Sequence, residues 1–174
     1  MQIVTYVFSV ITVVLGLFEP YCKKMKTVLI FSLMGNALVC VNYLITKSYS
    51  GSAICFVAII ELIINYTFTS RDRIIPKWII AINTVVFLAI NFITFRTYYD
   101  IFALIASMLF VFSISQSTAK YYRILTISNT LVWIFYDFLA RSYANLATHI
   151  ILAIATIGSF IYRDVIEKDT VPQQ

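Results

Sequence analysis

Two asparagines lie near the middle of long apolar stretches, where an unpaired amide is costly. Asn36 sits in LMGNALVCVNYL (residues 33–44), and Asn129 sits in ISNTLVWIFYDFL (residues 127–139). Helical spacing of i, i+4 and i+7 places further side chains on the same helix faces. The predicted substrate-binding faces consist of Asn36, Cys40 and Tyr43 on one helix and Asn129, Trp133 and Tyr136 on the other.

Two amides that face a shared central axis could hold a polar solute, and the flat ring of Trp133 could stack against it. The alternative is that each asparagine bonds a neighbouring helix and acts only in packing, an interaction often worth about 1 kcal/mol or less. The repetition at equivalent depth favours a binding site, although an inherited packing role explains it too.

Glu61 is the one carboxylate deep inside an apolar stretch, and Asn65 follows one helical turn later. An ionisable side chain at membrane depth is a functional candidate, and burial favours its neutral form. We therefore expect a proton or solute site at Glu61 and Asn65. The alternative is a structural hydrogen bond from Glu61 to Asn83 or Asn91.

A third polar group, Asp137, Arg141 and His149, falls where two predicted helices meet. Asp137 and Arg141 are one turn apart and could pair with each other. The three side chains are predicted as an outer gate, with contact to headgroups and water as the plainer alternative. The chain has one histidine, three cysteines without metal-ligand spacing and no His-Glu-x-x-His motif. We therefore expect no catalytic residue, metal or cofactor.

The elements that position these side chains follow from composition. The chain has 174 residues, of which 61% are hydrophobic and 12% charged, whereas soluble domains are about one quarter charged. Crossing about 30 Å of hydrocarbon takes roughly 17 to 25 apolar residues per helix. The fold class predicted is an all-α membrane protein with seven spans, at about 3–19, 27–45, 51–69, 76–94, 99–116, 121–140 and 144–162.

The distribution of lysine and arginine predicts the orientation, because these residues gather in cytoplasmic loops. Ten of the thirteen cations fall on one side: Lys23, Lys24, Lys26, Arg71, Arg73, Lys77, Lys120, Arg123, Arg163 and Lys168. The other side has Lys47, Arg96 and Arg141. This alternation predicts an external N-terminus and a cytoplasmic C-terminus. The basic loops face acidic headgroups, so nucleic acid is not expected as a partner.

An internal repeat is indicated by two segments of equal length, 16–36 and 109–129, which each run through a basic turn to an asparagine. We expect one membrane domain, with repeat 1 at about 1–72, a linker helix at about 76–94, repeat 2 at about 98–163 and a cytoplasmic tail at 164–174. The odd helix between them makes the two repeats parallel.

This 3+1+3 plan resembles the SWEET and PQ-loop (MtN3-like) transporter superfamily, although Tyr21 follows Pro20 where that superfamily has its Pro-Gln dipeptide. A closer resemblance is to YgjV-type bacterial inner membrane proteins. It rests on YCKKMKTVLIF (21–31), GNALVCVNYL (35–44) and KSYSGSA (47–53). The YgjV resemblance implies location in the cytoplasmic membrane, and the resemblance to the larger superfamily implies transport of a small solute.

The function predicted is a carrier or facilitator for a sugar-, nucleoside- or vitamin-like solute, bound between the two repeats. The alternative is a non-transporting accessory, scaffold or immunity protein of the same fold. The expected partners are the lipid bilayer and the solute, and the sequence leaves open a homo-oligomer.

Overall fold

The computed structural model describes residues 2–45, 49–95, 97–139, 141 and 143–167, with the side chains of 2–6, 9, 42–43, 49–53, 94 and 143–145 outside the description. Over this part of the chain the structure contains seven α-helices and no strand, as predicted. They are α1 (Gln2–Phe18), α2 (Met25–Ile45), α3 (Tyr49–Ser70), α4 (Lys77–Thr94), α5 (Asp100–Ile114), α6 (Ala119–Leu139) and α7 (Tyr143–Phe160). A 3₁₀ turn, Glu19–Tyr21, follows α1, and a π-helical turn, Ile161–Ile166, extends α7.

Local sequence accounts for several helix ends. Pro76 has extended backbone and directly precedes α4, because proline is well suited to a helix start but not to a helix interior. Asp72 and Arg141 follow α3 and α6 with φ of 51° and 56°, the left-handed conformation that commonly ends a helix. At the start of α5, the Asp100 carboxylate accepts the Thr97 backbone N–H at 2.7 Å.

The helices pack as two neighbouring trios. In the first trio α2 lies between α1 and α3, and in the second trio α6 lies between α5 and α7. The two trios touch where α1 meets α7, while α4 packs chiefly on α5 and lightly on α3. Consecutive helices therefore pack side by side within each trio.

Apolar side chains make up most of the interior and also cover much of the exterior of the described bundle. Large apolar side chains face outward, with Phe92 at 69% and Ile93 at 83% exposure. Nine of the described polar or charged side chains are buried as well, including Glu61 and Asp137, each 1% exposed. Soluble monomers rarely leave such continuous apolar surface uncovered, so the surface of this bundle suits hydrocarbon.

One described helical stretch, Leu146–Ile166, is long and apolar enough to cross a membrane when length and composition are the only criteria. The other apolar stretches found are shorter: Val10–Tyr21, Met25–Val41, Ile54–Ser70, Lys77–Ile93 and Asp100–Ile114. Seven helices are present in the described part of the chain, but these criteria alone do not make each of them a membrane span.

Candidate functional site

A cavity of about 170 Å³ lies where the two trios and α4 come together. It is contacted by α2, α3, α4, α5 and α6. Its lining consists of Asn36, Ile54, Cys55, Ala58, Phe87, Ala106, Ser107, Phe110, Asn129 and Trp133. Three residues predicted from sequence for a binding site thus meet around one space, with apolar walls and a few polar groups, as in many small-molecule sites.

The two asparagines in this cavity are held differently. Asn129 donates its Nδ2 to the Ala106 carbonyl of α5 at 2.7 Å, so it links two neighbouring helices. Asn36 donates its Nδ2 to the Ser32 carbonyl of its own helix at 2.9 Å. Both side chains are half-buried. Rotation of Asn36 towards a solute therefore breaks no bond between helices, whereas rotation of Asn129 does.

The other residues of the predicted binding faces lie elsewhere. Cys40 is buried on α2 but does not line the cavity. Tyr136 also lies outside the lining and instead packs edge-on against Trp133, with ring centroids 5.3 Å apart. The side chain of Tyr43 lies outside the described residues. Sequence reasoning missed Cys55 and Ser107, because single small polar residues in apolar helices carry no periodic signal.

Next to the cavity, Trp133 forms part of an aromatic and ionic group. Its ring stacks on His149 of α7, with centroids 5.7 Å apart and planes 10° apart. His149 Nδ1 lies 2.6 Å from Asp137 Oδ2. The buried carboxylate of Asp137 thus pairs with His149 rather than with Arg141, which is exposed beyond the end of α6. The suggested Asp137–Arg141 pair is therefore wrong, because the chain turns left-handed at Arg141.

Glu61 is buried on α3, in the direction of the α3–α4 turn from the cavity-lining Ala58. Neither carboxylate oxygen has a hydrogen-bond partner among the described residues. Asn65, one turn on, donates its Nδ2 to the Ile114 carbonyl of α5 at 3.2 Å. Asn91, the other suggested partner of Glu61, instead bonds the Phe87 carbonyl and Ser107 Oγ. Glu61 therefore has no hydrogen bond of normal geometry to either amide, although the Asn83 side chain lies close enough to interact with it.

A second cluster of buried polar side chains connects four helices. It lies at the opposite end of the bundle from His149. Ser32 and Tyr122 both donate hydrogen bonds to the Glu19 carboxylate. Sequence reasoning missed this cluster, because the partners are separated by as many as 103 residues. Its effect is to join the end of α1 to α2 and α6.

Arg123 is the centre of the same cluster. It is 3% exposed, although sequence analysis counted it among the loop cations. Its guanidinium donates to the Pro20 carbonyl at 2.7 Å, to the Cys22 carbonyl at 2.9 Å and to Asp164 Oδ2 at 2.7 Å. Asp164 was predicted to begin a tail, but the chain stays helical through Glu167 and belongs to the bundle.

Comparison with known proteins identifies the family. A family model described as Imp-YgjV, bacterial inner membrane protein, matches residues 3–167. The chain belongs to this family. No curated protein and no solved structure matches it.

Membership of the Imp-YgjV family makes this chain a bacterial inner membrane protein. That assignment is consistent with the exposed apolar side chains, such as Phe92 and Ile93, because the membrane offers an apolar environment for them. It also makes the buried polar groups candidates for function, because polar side chains inside a membrane protein are rare and are usually paired or functional.

Proposed function

We propose that this protein is a multi-pass carrier that binds a small polar solute in the cavity between its two trios and moves it without chemical change. The observation that carries the proposal is the meeting of Asn36, Asn129 and Trp133 around one space. Amide groups supply both donors and acceptors, and an indole face stacks on a planar or sugar ring. At about 170 Å³ the cavity suits a small solute, because drug-sized sites are roughly 300–1,000 Å³.

The proposal includes seven membrane spans in a 3+1+3 arrangement, as in the SWEET and PQ-loop superfamily. The outward apolar side chains on α4 and α6 support this, with Val85 and Phe138 among the most exposed. The packing of α1–α3 and of α5–α7 as separate trios supports it as well. Parallel repeats of this kind place a site at their interface.

We further propose that the N-terminus is external and the C-terminus cytoplasmic. Contacts between the basic segments support this orientation, because they gather at one end of the bundle. Lys26 in the first turn of α2 pairs with Asp72 after α3 at 3.0 Å. Lys23 after α1 pairs with Glu167 after α7. An excess of cations at one end is the usual mark of the cytoplasmic side.

A thermal-shift screen of purified protein against sugars, nucleosides, vitamins and amino acids tests binding. A solute at 100 times its Kd should stabilise the wild type by about 2.7 kcal/mol. Asn36→Ala and Asn129→Ala should each remove that stabilisation while the protein remains folded. Thr130→Val is the matched control, because Thr130 neighbours Asn129, bonds only Thr126 of its own helix, and lies outside the lining.

A non-transporting accessory, scaffold or immunity role is the second candidate. One observation favours it, namely that the Nδ2 atoms of Asn36 and Asn129 both already donate to backbone carbonyls. If no solute stabilises the wild type and both alanine variants simply lose folded protein, the asparagines are packing groups and this second role is the better one.

A further inference from the structure

Between the cavity and the α3–α4 turn lies a set of buried polar atoms that have no partner among the described residues. They are Glu61 Oε1, Glu61 Oε2, Asn65 Oδ1 and Asn83 Nδ2. Glu61 and Asn65 are one turn apart on α3, and the Asn83 amide of α4 approaches Glu61 without reaching hydrogen-bond geometry. Buried polar groups are nearly always paired, so four orphan atoms in one place need an explanation.

We infer that Glu61, Asn65 and Asn83 form a proton-binding site, and that the proton is the coupling ion of the proposed carrier. The ionised carboxylate offers only acceptors, so the set holds three acceptors and one donor. When Glu61 takes one proton from water, its new O–H can donate to Asn65 Oδ1. Its remaining oxygen can accept from Asn83 Nδ2. One added proton therefore satisfies all four atoms and removes a buried charge.

A sodium ion fits this set less well. Hard cations of this kind take several oxygen ligands, while the unpartnered oxygens here are the two of Glu61 and one of Asn65. The donor of Asn83 would be left facing a cation or unpaired. The count of atoms therefore favours a proton.

The amides of Asn65 and Asn83, rather than charged side chains, determine whether Glu61 is ionised. On the helices that surround it, the described charged side chains lie at the ends: Lys26 of α2, Lys77 of α4 and Asp100 of α5. The other titratable side chains of the packed helices are Cys55 and Tyr66 of α3, Cys40 of α2, and Tyr122 of α6, which shares a core cluster with Leu62. In the described part of these helices no cation is available at that depth to hold Glu61 ionised.

The site also lies between two spaces. Ala58 of α3 and Phe87 of α4, each about one turn from the polar set, line the central cavity. In the other direction, Thr69 of α3 and Ile80 of α4 line a surface pocket of about 430 Å³. Ser115 lines that pocket too, next to the carbonyl that binds Asn65, and its hydroxyl is another unpartnered buried atom. The polar set therefore lies about one helical turn from the lining of each space.

Infrared spectroscopy of the purified full-length protein tests the proton site without any solute. At pH 7 we expect a carbonyl stretching band of a protonated carboxylic acid that is absent from Glu61→Gln. Glu61→Gln should remain folded, because its amide reproduces the donor and acceptor of the protonated acid. Asn83→Ala should raise the frequency of the band, since the carbonyl loses a donor. Asn91→Ala, on the same helix but bonded to Phe87 and Ser107, should leave it unmoved.

Three results would overturn the inference. One is an infrared spectrum whose carboxylic-acid region is the same in wild type and in Glu61→Gln. Another is a carboxylic-acid region that Asn83→Ala leaves unchanged, and this test holds even if Glu61→Gln does not fold. A third is loss of the band at pH 7 when choline chloride is replaced by sodium chloride, which would make sodium the ligand. The coupling role rests on the proposed carrier, but a failed solute screen would leave these spectra unaffected.

Discussion

Asp164→Asn should destabilise the protein strongly, because it removes the counter-charge of a buried guanidinium. Arg123 and Asp164 have side-chain exposures of 3% and 11%, and their charged atoms are 2.7 Å apart. Removing one partner of a buried ion pair costs about 3–5 kcal/mol. Asparagine still offers an oxygen to Arg123, which restores about 1 kcal/mol. The expected loss is therefore about 2–4 kcal/mol, or roughly 30- to 1,000-fold in the folded-to-unfolded ratio.

Equilibrium unfolding in detergent micelles, followed by tryptophan fluorescence, measures this loss. Arg123→Lys separates charge from geometry, because lysine keeps the charge but cannot reach the Pro20 and Cys22 carbonyls and Asp164 together. We expect it to be destabilised as well. A loss below about 1 kcal/mol for Asp164→Asn, the range of exposed pairs, would refute the idea that this pair is buried from solvent and headgroups.

Glu167→Gln is the matched control at the same end of the bundle. Glu167 pairs with Lys23 and, at 2.9 Å, with Arg163, but these side chains are much more exposed. The hydrogen bonds from Lys23 and Arg163 lower the pKa of Glu167. Its contribution is therefore present above the unfolded pKa, near 4.3, and lost as the pH falls through the lower folded value. Wild type and Glu167→Gln should be indistinguishable in acid and differ only slightly at pH 7, with the difference decreasing as salt is added.

Two further predictions concern side-chain packing, one at His149 and one at the glycines Gly35 and Gly16. His149→Phe should keep an aromatic ring in the stack but leave the Asp137 carboxylate buried without its partner. We expect unfolding measurements to show a loss of about 2–3 kcal/mol, and Asp137→Asn added to it should restore part of the loss; full stability of the single variant would contradict the assigned pair. Gly35→Ala should stabilise α2 by about 0.5–1 kcal/mol, because nothing lies within 4 Å of an added methyl group. Gly16→Ala should gain less, because its methyl group would lie 3.0 Å from Leu152, and an equal gain in both variants would show that this contact is unimportant.

The helices were predictable because hydrophobicity and loop polarity change together along this chain. The stretch predicted at 27–45 is helical over Met25–Ile45, and the stretch predicted at 76–94 is helical over Lys77–Thr94. The meeting of Asn36 and Asn129 was also predicted, since both lie at similar depth on the central helices of the two trios. Depth along a helix can be read from distance to its polar ends, which is why these features were accessible.

The long-range polar contacts were not predictable. Nothing near Arg123 indicates that its partners are Pro20 and Asp164, because carbonyl oxygens carry no sequence signal and a basic residue at a helix start usually faces headgroups. The pairing of Asp137 with His149 was missed for a related reason. Arg141 was the closer candidate along the chain, but the left-handed turn at its position was not visible in the sequence.

The hydrogen bonds to the carbonyl oxygen of Pro20 affect the order in which the protein is synthesised and folded. It accepts hydrogen bonds from Arg123 and Ser159, which follow it by 103 and 139 residues. At about 5–20 residues per second, the ribosome needs roughly 7–28 s after Pro20 before Ser159 is added. The first helix is therefore synthesised well before the groups that complete its end exist. Insertion of this protein should accordingly finish only after translation has passed the last helix. Until then, water, headgroups or the insertion machinery must bind the polar groups at the end of α1.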